Sequence, residues 1–221
     1  MLKFNKNRPG CRDVFNAFLT ENARFSRVEE FPVLPAARKL PGGLVSFSKA
    51  LNAKTGFDRW IHFYEDDSVI ERVWNNPRRY LPVFKRFAGV IHPDFSVYRD
   101  MPLAVQKHQI FKSRSIGFWL SGQGVSCIPN LRFADERTYD ACCEGVAKNS
   151  VVALGTHGCF KNVHDRFYLF EGLDRAVEVL TPSHIVIYGP APEAYFKKYE
   201  EAGIVLLRFC SEIGLARGKE S

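Results

Sequence analysis

From Arg59 onward, short apolar runs alternate with amphipathic helical stretches, and this alternation points to an α/β protein built on a mainly parallel sheet. Parallel neighbours need a crossover, and right-handed crossovers leave two architectures: an open three-layer sheet or a partial TIM-barrel-like sheet. Six strands are expected, over 59–65, 89–92, 125–129, 150–155, 184–188 and 204–209. Val69, Ile70, Val73 and Trp74, then Tyr80, Leu81, Phe84 and Phe87, recur at helical spacing and predict two helices parted at Pro77. Ser68 and Glu71 stand at capping-box spacing before the first of them. A helix over 101–120 ends near Gly122, and a short one spans 138–144. Leu169, Phe170, Leu173, Val177 and Leu180 mark a further helix, and Pro192 and Gly203 bracket the last.

These units define a main domain over 58–210, followed by a polar tail over 211–221. Residues 1–57 read differently, because Pro9, Pro32, Pro35, Pro41 and the pair Gly42 and Gly43 interrupt regular structure. They carry ten Lys and Arg against four acids (Asp13, Glu21, Glu29 and Glu30), so most of the chain's formal charge of +7 sits here. Such a basic, irregular N-terminal extension suits a polyanion such as nucleic acid, or is a solvated arm kept soluble by its charge. The longest apolar stretches are too short to cross a bilayer, and the N-terminus lacks the apolar run of a secretory signal. Six cysteines without framework spacing fit reduced thiols in a cytoplasm. His157, Cys159 and His164 form the one tight His/Cys group, too sparse to assign a metal. Oligomeric state is left open.

In either architecture ligands bind beyond the carboxyl ends of the strands, so the residues just after each strand are the candidates for chemistry. That rim holds Glu65, Asp66 and Asp67; His92, Asp94 and Ser96; Asn130, Arg132 and Asp135; Thr156, His157 and Cys159; and Tyr188. Asp94, Arg132 and His157 are the candidate catalytic set, since a carboxylate, a guanidinium and an imidazole supply acid–base and anion-holding groups from three separate strands. Asn130, Asp135, Thr156 and Tyr188 are candidate ligand contacts. Lys107 and Arg114 join them, because both fall beside the apolar face of the 101–120 helix and could reach an acidic or phosphorylated ligand. Thr156 and His157 lie between Gly155 and Gly158, a pattern that lacks the lysine of a P-loop and the third glycine of a dinucleotide fingerprint.

The runs HPDFSVYRDMPLAVQKHQIFKSRSIGFWLSGQGVSCIPNLRFAD, VVALGTHGC and IVIYGPAP together resemble a family known as domain of unknown function 4417, met mainly in bacteriophages, prophages and plasmids. The resemblance covers 59–209, with Phe133 where the family's pattern leads one to expect tryptophan. It implies a mobile-element setting. Two classes of function fit: an enzyme acting on nucleic acid or a nucleotide, or a non-catalytic module binding nucleic acid or a host protein. Thiol titration of the denatured protein without reductant is expected to find all six cysteines free; fewer, or stoichiometric zinc by elemental analysis, would redirect attention to His157, Cys159 and His164.

Overall fold

The structure, a computed structural model, describes Asp13 and residues 15–211. After a 3-10 turn at Ala17–Thr20 the elements are β1 (Leu44–Ser46), α1 (Phe47–Ala50), β2 (Trp60–His62), α2 (Asp67–Asn75), α3 (Pro77–Phe84), β3 (Gly89–Ile91), α4 (Leu103–Gly122) and β4 (Cys127–Ile128). Next come β5 (Asn130–Leu131), α5 (Tyr139–Cys143), β6 (Val151–Gly155), α6 (Val163–Leu180), β7 (His184–Tyr188), α7 (Glu193–Glu201) and β8 (Val205–Phe209). All strand pairs are parallel, as the alternation of strands and helices requires.

The strands form two sheets, β1-β2-β3-β4 and β5-β6-β7-β8. Pro129 alone separates β4 from β5 and has no N–H to give a ladder. Its carbonyl accepts from the Ala153 amide at 2.8 Å, and the Ile128 carbonyl before it accepts from His92 at 2.9 Å. One extended segment therefore serves both sheets, and strand order follows chain order without reversal. An open doubly wound sheet would need a reversal; a barrel segment does not. The rolling is visible across the interior, where Tyr64, just past β2, stacks on Tyr188 of β7 with centroids 4.8 Å apart and planes 9° apart. Of the two architectures open to the sequence, the partial barrel is the one present.

Side chains alternate between the two faces of this curved sheet. Ile61, Phe63 and Val90 pack outward in one core with Ile70, Val73, Phe84 and Ile116 of the helices. Val152, Leu154, Ile185 and Ile187 pack outward in a second with Leu169, Leu173 and Phe196. Trp60, Ile91, Ile128, Val151, Ala153 and Val186 face inward and fill the barrel. Gly89 makes room for the largest of them: a Cβ there would lie 2.5 Å from the Trp60 ring.

Much of the expected N-terminal extension belongs to this body. β1 pairs with β2, Leu19 and Phe47 sit in the first outer core, and Leu34 sits in the second. Ala37 joins the inner core, and its carbonyl accepts from Val151 at 3.1 Å. A boundary between 57 and 58 therefore cuts through packed structure, because the prolines shape an extended segment that buries apolar side chains without regular hydrogen bonding. Lys3, Lys6, Arg8, Arg12 and Cys11 lie outside the described residues, as does the tail after Ser211. The cap of α2 also differs from the expected box: Asp66 accepts from the Ser68 amide at 2.8 Å. α6 starts at Val163, six residues before the apolar repeat, with Asn162 as its cap, because its first five residues include the exposed Val163 and Phe167.

Gly89→Ala is expected to lower stability by about 3 kcal/mol, since the added methyl overpacks a filled interior. Trp60→Leu in the same chain should recover part of that loss, measurable as a non-additive cycle in urea denaturation.

Candidate functional site

At the carboxyl ends of the strands the apolar filling stops, and inward-facing positions become polar. Ser46 of β1, His62 and Tyr64 at β2, Asp94 after β3, Arg132 after β5, Gly155 and His157 at β6, Tyr188 of β7 and Ser211 after β8 line one cavity of about 440 Å³. This is where an (α/β) barrel places its ligands. A second cavity of about 750 Å³ adjoins it, sharing Arg132, Gly155 and His157.

Asp94 is the centre of the polar network. Its Oδ1 accepts from Asn130 Nδ2 at 2.6 Å, and the Asn130 Oδ1 in turn accepts from the Tyr64 hydroxyl at 2.9 Å. Its other oxygen lies 3.6 Å from Arg132 Nη1, an ion pair longer than a hydrogen bond. Burial raises the Asp94 carboxyl above the ordinary carboxylate range, against the opposing pull of Arg132 and the Asn130 hydrogen bond. The same pair, Asp94 foremost, raises Arg132, so the guanidinium stays charged. A carboxyl raised in this way can hold or release a proton beside a fixed cation.

The aromatic wall behind it is built by β2 and β7. Gly155 lets Tyr64 cross the barrel, because a Cβ there would lie 2.6 Å from the ring. His62 lies 4.3 Å from Tyr188 by ring centroids, and its Nδ1 accepts from the Tyr64 amide at 3.3 Å. Burial, reinforced by Lys49, pushes the His62 imidazole down to about 3, so it is a neutral acceptor. Burial likewise raises the Cys159 thiol, which argues against a thiolate nucleophile there.

The structure thus brings Asp94, Arg132 and His157 to one mouth, with Tyr188 in its wall and Asn130 beneath, orienting Asp94. The other candidates lie elsewhere. Lys107 pairs with Glu29 at 2.7 Å. Arg114 is buried under the site and donates to the carbonyls of Asn130 at 2.9 Å and Cys142 at 2.6 Å, so it braces backbone instead of facing a ligand. Asp135 is held by Arg137 at 2.7 Å within its own loop. Thr156 is fully buried and gives its hydroxyl to the Pro190 carbonyl at 2.7 Å. His92 faces outward against α4, where a Cβ on Gly117 would lie 1.9 Å from its ring. Sequence reasoning missed Ser46, His62, Tyr64 and Ser211. The alternation Trp60, His62, Tyr64 was the available signal, since it puts a histidine on the inward face of a strand.

The lowered His62 has a consequence for stability. An unfolded histidine takes up its proton near 6.5 while folded His62 does not until about 3, so its contribution is complete above pH 6.5 and is lost on acidification below it. Going from pH 7 to 5 should cost up to about 2 kcal/mol through this residue, read from urea midpoints. His62→Gln should shrink that difference; an equal difference in the variant would refute the assignment.

No solved structure matches the chain significantly. It is 28% identical over 217 residues to the Gene 1 protein of Mycobacterium phage D29, covering 96% of this chain and 73% of that one. It is 29% identical over 186 residues to the Gene 1 protein of Mycobacterium phage L5, covering 82% and 80%. The model of the family described as domain of unknown function (DUF4417) matches residues 23–209, starting well before the 59 expected from the sequence motifs and taking in the N-terminal segment that packs into the cores. With most of its length matched by that model, the chain belongs to the DUF4417 family, whose relatives here are phage proteins.

Proposed function

We propose that the mouth of the partial barrel is the active site of a phage-associated, cytoplasmic enzyme acting on nucleic acid or a nucleotide. The observation that carries this reading is the convergence of Asp94, Arg132 and His157 from three different strands on one cavity of about 440 Å³. Arg132 is the anion holder, since a charged guanidinium with a fixed fork suits phosphate oxygens. Asp94 is the proton carrier, because its raised carboxyl stands next to the position such a phosphate would take. His157, which lines both cavities, is the second acid–base group. Tyr64 and Tyr188, their faces stacked on each other, line the cavity and offer aromatic edge for a base to lie against. The basic residues of 1–57 would add affinity for the polyanion; those after residue 15 are carried on a folded segment instead of a free arm.

A raised carboxyl makes a distinctive forecast. Above its raised value the buried charge of Asp94 weakens the fold, and the penalty disappears as the pH falls and the carboxyl takes up its proton. Asp94→Asn keeps the acceptor for Asn130 and removes that charge. Its melting temperature at pH 7 should therefore stay within about 3 °C of the parent or rise. Turnover of nucleotides or single-stranded oligonucleotides should fall by about a hundredfold or more. Arg132→Gln should weaken retention of a nucleotide, detected by native mass spectrometry of protein purified from its host. An Asp94→Asn protein with full activity, or three variants of Asp94, Arg132 and His157 that lose melting temperature and function in step, would overturn the reading.

A further inference from the structure

The larger cavity lies outside the mouth, between the 97–100 segment and the start of α6, and it is not needed to hold a single nucleotide. Its walls carry Tyr98, Arg99, Lys161 and Tyr168 in addition to the shared Arg132 and His157. Three cations face two carboxylates there, Asp100 and Asp165; Asp165 is already taken by Arg99 at 2.8 Å, and Arg132 lies 3.6 Å from Asp94 of the mouth. Among the described residues Lys161 pairs with no carboxylate, which leaves its charge for an anion from solution. Aromatic surface lies alongside. The Arg99 guanidinium sits 4.6 Å over the Tyr168 ring, and the Phe167 ring, 56% exposed, stands 5.3 Å from Tyr168. Tyr98, 53% exposed, gives its hydroxyl to Ser96 at 3.0 Å, and Ser96 belongs to the mouth. Cations interleaved with rings, Tyr98 and Phe167 exposed and Tyr168 half-buried under Arg99, and continuous with a second site, form a surface on which single strands are held: phosphates pair with the cations and bases stack on the rings or on the guanidinium plane.

We infer that the larger cavity is a second subsite for the neighbouring nucleotides of a single-stranded nucleic acid, and that Arg132 and His157 stand at the seam between the two subsites. The substrate of the mouth is then a chain and not a free mononucleotide. This rests on the reading of the mouth given above and adds its substrate class. A mononucleotide fills the 440 Å³ mouth alone, whereas a chain places further bases and phosphates against Tyr168, Arg99 and Lys161.

The test uses the full chain and fluorescence anisotropy, with labelled oligothymidylate and oligouridylate of about eight nucleotides and competition by thymidine and uridine monophosphate. At least one oligomer should bind more than about tenfold tighter than its mononucleotide. Lys161→Gln should lower the logarithmic salt slope of oligomer binding by about 0.7, and Tyr168→Leu should weaken the oligomer by about tenfold. Both should leave the melting temperature in place and weaken the mononucleotide by far less. Arg132→Gln should weaken both kinds of probe. If the mononucleotide binds as tightly as the oligomer, or if Lys161→Gln and Tyr168→Leu weaken both alike, the second subsite is refuted, while sensitivity of the mononucleotide to Arg132→Gln upholds the mouth. If no probe binds, both readings fall.

Discussion

All inward-facing side chains of this sheet have to share one interior, and that shared volume governs the rest of the molecule. Trp60 takes the largest part and forces glycine at position 89; Tyr64 crosses toward β7 and forces glycine at position 155. Above the level of Ile128 and Ala153 the supply of apolar side chains ends, and the space passes to polar groups that can reach water or a ligand. The site is thus the upper continuation of the core, built by the same alternation, and its precision comes from the packing below it.

Charge is handled within that volume by unequal compensation. Asp94 has one good hydrogen bond and a distant guanidinium, too little to offset its burial, so its proton is held more tightly than usual. Among the described residues Arg114, deeper still, has no carboxylate beside its bonds to the Asn130 and Cys142 carbonyls. It ties α4 and α5 to the residue that orients Asp94. An arginine in this position links the helical layer to the site through backbone, and a lysine could not grip two separate carbonyls in the same planar geometry.

The strands and helices were legible because apolar period and turn residues are local: β2, β3, β6, β7 and β8 and the helices α2 to α5 and α7 lie where the pattern puts them, and α6 departs only at its start. Asp94, Arg132 and His157 could be grouped because a parallel topology gathers the residues at the carboxyl end of each strand along one edge. The rest was not local. β5 is too short for a period, β1 follows directly on Pro41, Gly42 and Gly43, which read as a break, and Pro129 hides the change of sheet within one run. Lys107 reads as a stray cation on an apolar face until Glu29, 78 positions away, is brought against it. His62 and Tyr64 read as ordinary strand residues, since inward and outward faces are distinguishable only once the curvature is known. The prolines and charges of 1–57 suggested a detached arm, whereas the apolar residues among them, Leu19, Leu34 and Phe47, are held by partners far along the chain.

The edges of the sheet hold one more implication. Among the described residues β1 and β8 each pair on one side only, so no hydrogen-bond ladder closes the ring and fixes its circumference. The opening is spanned by a side-chain tie, Tyr64 against Tyr188 with His62 beneath. Packed side chains, and not a closing ladder, therefore hold the two edges at their distance: Leu44 of β1 and Leu207 and Phe209 of β8 share the inner core, and the stacked rings bridge the barrel at the level of the mouth.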